Sequence, residues 1–177
     1  MKKELLFFLC FLSVCAGMFY LAINRGFIVM NLSSTPSSNT QDVLEKKSVK
    51  LMFWHRDHWQ HEKIEIIWST NQSVTVKHII DAWLTLMDEE RIMEKKVSLQ
   101  TACASPSEQE LFLSFDRNPF SKEASTYDKW MWVEGILKTL RENGIKYHNV
   151  RFLVHHQNLN DYHLDFSNPW PMSGFIK

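Results

Sequence analysis

The chain has 177 residues, 20 Lys+Arg against 20 Asp+Glu, 3 Cys and 5 Gly, room for one ordinary domain plus an appendage. A 45% hydrophobic share excludes a wholly disordered chain, and five glycines exclude a Gly-rich repeat. Zero net charge argues against nucleic-acid coating, although residues 1–50 carry 6 basic and 3 acidic side chains and residues 51–177 carry 14 and 17. No nucleic-acid partner is expected.

Residues 1–4 include Lys2 and Lys3, and residues 5–23 then run without a charge. As a helix this run would extend about 28 Å, close to the hydrocarbon thickness of a bilayer. It reads as an uncleaved signal anchor. Cleavage near Ala16 as a signal peptide, or lipidation at Cys15, are the alternatives, though Val14 is a poor residue before an acylated cysteine. Arg25 is the lone basic residue shortly after the span, so the positive-inside bias puts residues 1–4 in the cytoplasm and the rest outside. Residues 24–48 are rich in Ser, Thr and Asn and read as a flexible tether.

Residues 49–177 carry the domain. Alternation predicts strands over 49–54 and 63–68, where Ile64, Ile66 and Trp68 share a face. Helical spacing then takes over 73–93, with Val76, Ile79, Ile80, Trp83, Leu84 and Met87 in one stripe and Asn71 or Ser73 as cap. Two strands follow, 97–102 and 110–115, then a second helix over 125–143 closed by Gly144. Its apolar side is Tyr127, Trp130, Val133, Leu137 and Leu140, which puts Trp132 and Lys129 outward. Trp132 is thus the candidate interface residue, with a place in the peripheral core as the alternative. Strands are expected over 149–155 and 161–166, and an irregular end around Pro169 and Pro171. The order ββαββαββ predicts a two-layer α+β domain, a mainly antiparallel or mixed sheet with both helices on one face.

Three chemistries compete for attention. His55, His58 and His61 form a ligand-like cluster, but i, i+3, i+6 converges only on a helix and this segment lies between strands, so a solvated loop is expected. Asp161, His163 and Asp165 would share a strand face, yet no nucleophile motif accompanies them. Cys103 stands alone outside the apolar run, so no disulfide can form within the domain, and a buried inert thiol is expected. No catalytic set and no cofactor motif emerges.

From residue 110 onward a further pattern is legible. Leu111-Phe112-Leu113-Ser114-Phe115-Asp116, then Asn149-Val150-Arg151-Phe152-Leu153-Val154, then His163-Leu164-Asp165-Phe166-Ser167-Asn168-Pro169 follow in order. Together they resemble the GerMN (sporulation and spore germination) domain. In that family the first strand ends in hydrophobic-Asp, the second reads Val-x-Phe-Leu-Val-Asp-Gly, and the close reads Gly-His-Ile-Asp-Leu-Ser-x-Pro. Phe115, Asp116, Phe152, His163, Asp165 and Pro169 are the matching positions. Where the family has Asp-Gly, this chain has His155-His156, which removes the glycine of a tight turn. The resemblance implies a non-catalytic extracytoplasmic domain of the cell envelope with an unidentified envelope protein as partner. The membrane itself would be engaged through residues 5–23. The competing expectation is a metal-dependent envelope hydrolase using His55, His58 and His61.

Overall fold

The alternation read over 49–54 and 63–68 extends well beyond those limits in the computed structural model, which describes residues 45–107 and 109–175. Strands β1 (Glu45–His55) and β2 (His58–Trp68) form one long antiparallel hairpin. The first four residues of β1 were assigned above to the tether. Instead they pair, Glu45 with Trp68 through Ser48 with Glu65, and Lys47 lies 3.8 Å over the Trp68 ring. Their polar side chains are exposed, which is why composition alone read them as linker. The apolar run 5–23, and the tether up to residue 44, lie outside the described residues. Among the described residues no helix is long and apolar enough to cross a membrane.

Helix α1 (Gln72–Glu89) follows, then β3 (Leu99–Ala104), β4 (Glu110–Phe115), helix α2 (Thr126–Glu142), β5 (Asn149–Val154), β6 (Gln157–Asn158) and β7 (Trp170–Pro171). The class is α+β, as predicted, with the strands divided between the hairpin and a five-stranded mixed sheet. In the latter β3 and β4 are antiparallel, β4 and β5 parallel across the α2 crossover, and β6 and β7 pair with β5 on its far edge. The predicted strand 161–166 does not form. There the Asp161 side chain accepts from the amides of His163 and Leu164, and Asp165 accepts from Ser167. Such local turns compete with a ladder and win where the edge of β5 is already taken. Pro171 enters β7 because an edge strand can do without a donor.

Local signals set the helix ends. Asn71 caps α1 by accepting from Ser73 N at 3.0 Å, and Ser125 caps α2 by accepting from Asp128 N at 3.1 Å. Both helices close in Schellman motifs. Ile145 N donates to Leu140 O with Gly144 at φ 76°, and Ile92 N donates to Met87 O with Arg91 at φ 55°. The second closure stops α1 four residues short of the predicted end. Two-residue turns with both φ positive join β1 to β2 through Arg56-Asp57, and β5 to β6 through His155-His156. A tight turn thus forms at His155-His156 without a glycine.

α1 buries its predicted stripe, Val76 through Met87, at 3% exposure or less. α2 departs from a one-sided reading. It packs on β1 while Trp132 reaches Phe115 and Phe152 of the mixed sheet, so it is covered on two sides. Trp132 is therefore core, 8% exposed, and not an outward interface residue. Trp130 is half-buried and Tyr127 is 50% exposed. Close approach to β1 is possible because a Cβ on Gly135 would lie 3.3 Å from Met52 O and 3.1 Å from the Trp83 ring.

The outer edge of β1 finds its partners on the helices. Lys50 N donates to Asn143 Oδ1 at 2.9 Å and Asn143 Nδ2 returns a bond to Lys50 O at 2.8 Å. Two residues on, Met52 N donates to Thr139 Oγ1 at 2.8 Å, while Thr139 Oγ1 and Trp83 Nε1 donate to Met52 O at 3.2 and 2.8 Å. Two residues of strand advance about 6.8 Å and four of helix about 6 Å, so an i, i+4 pair can serve i, i+2 backbone groups. Thr139→Val keeps the shape and orphans the buried Met52 N–H. We expect urea denaturation to show a loss of about 2 kcal/mol with an unchanged m-value.

Candidate functional site

A pocket of about 410 Å³ opens between the hairpin tip, the C-terminal end of α1 and the N-terminal half of α2. That volume lies in the lower range of small-ligand sites. Its floor is Trp83, Met87, Phe120, Met131 and Trp132, all buried. Trp132 is held edge-on by Trp83 and Phe120, each with ring centroids at 5.2 Å, and its Nε1 donates to Met93 Sδ at 3.4 Å. Three thioethers, Met87, Met93 and Met131, line the same space and can repack around an apolar occupant.

The mouth is charged. Arg56, Asp57, Arg91, Glu94 and Asp128 surround it, all exposed. Of the five arginines among the described residues, Arg117, Arg141 and Arg151 are in ion pairs. The other two, Arg56 and Arg91, are both at this mouth and both hold positive φ. Trp54 continues the rim, edge-on to Trp59 at 5.4 Å and to Tyr127 at 6.0 Å.

Behind the pocket lies a buried ion pair that sequence reasoning missed. Lys129, expected outward, has a side chain 0% exposed; its Nζ donates to Asp161 Oδ2 at 2.7 Å and lies 3.1 Å from His163 Nδ1. His163 can accept there only with Nδ1 unprotonated. Burial pulls the Asp161 carboxyl up, but the Lys129 hydrogen bond, the amides of His163 and Leu164 and the Lys129 charge together hold it below the usual carboxylate range. No spacing rule could have found this pair, because its partners are 32 residues apart and one stands in an irregular loop.

The other site residues expected from sequence hold structure. Phe115 and Phe152 are buried and stacked at 6.5 Å. Asp116 accepts from Ser98 N at 2.8 Å and pairs with Arg117, fastening β4 to the chain before β3. Asp165 is exposed and bonds Ser167 N and Oγ, so it does not join His163 on a strand face. Pro169 is half-buried just ahead of β7. His55 and His58 face each other across the hairpin turn, with His58 bonded to Arg56 O and Gln60 Nε2. His61 lies opposite Met52, and its odd spacing from His58 sends the two rings to opposite faces. The three histidines do not converge, and the described residues contain no group of three His, Cys, Asp or Glu placed to hold a metal ion.

Cys103 is exposed, against the expectation of a buried thiol. A bulge between Leu99 and Thr101 shifts β3 by one residue, which pairs Cys103 with Phe112 on the outer face. The partial burial that remains raises its pKa.

No family model and no curated protein matches this chain. Two solved structures are similar to it. A candidate lipoprotein from Clostridium perfringens has 15% identity and a TM-score of 0.48 over 77% of this chain and 94% of that one. The tandem GerMN domains of the sporulation protein GerM from Bacillus subtilis have 12% identity and a TM-score of 0.44 over 78% of this chain and 49% of that one.

Removing one partner of the buried pair leaves the other charge without water or counterion. Lys129→Met and Asp161→Leu should each cost about 3–5 kcal/mol, and the Lys129→Met/Asp161→Leu double variant clearly less than the sum, measured as a double-mutant cycle by urea unfolding. The pH dependence has a definite sign. A carboxyl whose folded pKa is depressed contributes stability above its unfolded value near 4, and loses it as pH falls through the folded value. The wild-type melting temperature should therefore drop below about pH 4, and Asp161→Asn should flatten that drop.

Proposed function

We propose that this chain is a membrane-tethered, extracytoplasmic interaction module of the cell envelope, GerMN-like, and that it works by binding without catalysis. The observation that carries this reading is what the motif residues do. Phe115 and Phe152 build the core, Asp116 and Asp165 hold turns and strand ends, and His163 rests on Lys129. Their polar partners, the Ser98 amide, the Ser167 amide and hydroxyl and the Lys129–Asp161 ion pair, are ones that fix turns and loops. What the surface offers is the pocket between hairpin and helices, apolar within and charged at its mouth.

The tether side of the reading rests on the sequence. The nineteen uncharged residues 5–23 supply an anchor and Lys2 and Lys3 set its direction. On this reading the tether is residues 24–44 and the binding domain begins with β1 at Glu45. The pocket would take a large apolar side chain of an envelope protein, with a rim of both signs, Arg56 and Arg91 beside Asp57, Glu94 and Asp128, meeting complementary charges around it.

Two measurements test this. Protease added to cells with a permeable outer layer should remove the domain and leave a labelled N-terminus protected; the reverse pattern overturns the orientation. A photo-crosslinking residue in place of Arg91, at the mouth, should yield a discrete adduct in intact membranes. The same residue in place of the exposed Lys146, past the far end of α2, should not. Adducts from Lys146 alone would remove the pocket from the binding surface.

A further inference from the structure

The two edges of the hairpin are finished differently. At the middle of β1 the groups of Lys50 and Met52 that point away from β2 are bonded to Asn143, Thr139 and Trp83. The register then fixes which residues of β2 point outward. Val49, Leu51 and Phe53 face Ile64, Glu62 and Gln60, so the outward backbone groups of β2 belong to Trp59, His61, Lys63, Glu65 and Ile67. Ile67 O accepts from His78 Nδ1 at 2.7 Å, which closes the edge at that end. The backbone groups of His61, Lys63 and Glu65 find no bond elsewhere in the described fold, and the side chains from His61 to Lys63 and of Glu65 are exposed. A straight edge in this state is a template for another strand.

We infer that this edge pairs antiparallel with β2 of a second copy of the chain, on a two-fold axis at Ile64. Only some registers satisfy the outward groups, and charge chooses among them. A two-fold at Glu62 would oppose Glu62 to itself, one at Lys63 would oppose two lysines, and one at Glu65 would oppose two glutamates. With the two-fold at Ile64, Lys63 of each copy lies opposite Glu65 of the other. Each such pair exchanges two backbone hydrogen bonds, four in all, with a charge pair above them. The two Ile64 side chains meet at the axis on the face that carries the buried Ile66. His78 limits the ladder to about Glu62–Ile66, so the contact is small and its strength depends on concentration.

The full chain tests this without reference to where it resides. In a chain whose Cys10, Cys15 and Cys103 are replaced by Ser, Ile64→Cys places two sulfurs across a non-hydrogen-bonded pair. Its Cα atoms would lie about 4.5 Å apart, within disulfide range. Mild oxidation should give a covalent dimer on a non-reducing gel, and His61→Cys in the same background should not. Adding Lys63→Glu to Ile64→Cys opposes like charges twice by symmetry and should slow dimer formation about tenfold. Adding Glu65→Lys as well should restore it. Lys63 and Glu65 are exposed, so the melting temperature serves as the folding control and both charge variants should match the Ile64→Cys chain they are built on. Three results would overturn the inference: an Ile64→Cys chain that stays monomeric, equal crosslinking from His61→Cys, or indifference to the charge swap.

Discussion

A buried strand edge has to find partners for the backbone groups that the neighbouring strand does not use, and β1 meets that demand at Lys50 and Met52 with side chains. Thr139 and Asn143 together act as a short substitute strand. The match needs a hydroxyl and a carboxamide four residues apart, because each must both donate and accept. It also needs the helix axis close to the strand, which Gly135 allows. Once α2 is fixed against β1 in this way its other side has to face the mixed sheet. Trp132 enters the core for that reason, and Lys129 is carried under the loop that holds Asp161. The pocket is what remains where hairpin tip, α1 and α2 diverge.

Elements that bury one face were legible in the sequence. The stripe of α1, its N-cap at Asn71 (one of the two candidates), Gly144 and the strands β4 and β5 follow from periodicity and cap chemistry alone. α2 was legible as a helix but not in its placement. Burial on two sides gives no single stripe, and Lys129, Glu134 and Thr139 look like a solvent face until their distant partners are known. Glu134 accepts from Arg141 at 2.6 Å and from Phe175 N at 3.2 Å, a contact across 41 residues. The outward Cys103 was hidden for another reason. One extra residue in β3 reverses the parity of everything after it, and a bulge leaves no compositional trace.

The candidate site was the least legible part. Its floor reads as ordinary core and its mouth reads as ordinary surface; only the tertiary arrangement joins them. Backbone conformation gives the one local mark. Five non-glycine residues of the described chain have positive φ, and Arg56, Asp57 and Arg91 among them stand at the pocket mouth. Left-handed backbone costs an L-residue about 1–2 kcal/mol, and glycine would avoid the cost. At these positions the hairpin turn and the α1 C-cap place charged side chains on left-handed backbone beside the pocket.

Buried charge serves the half of the domain that has few ladders. Beyond β5 the described chain has two strands of two residues each, so regular hydrogen bonding cannot hold it. Lys129 and Asp161 fasten the loop after β6 to the start of α2. Arg141 and Glu134 fasten Met172 and Phe175 to its end, with Arg141 donating to Met172 O at 2.8 Å. A buried ion pair adds little net stability over a well-packed apolar pair, but it admits few geometries. The buried Lys129–Asp161 pair and the partly buried Arg141–Glu134 pair, near opposite ends of one helix, set where the irregular chain must run. The same helix holds β1 through Thr139 and Asn143, so the loop, the hairpin and the pocket between them share a single reference. A change at the Lys129 end should for that reason reach the pocket mouth before it reaches the free edge of β2, which α2 does not touch through any of these bonds.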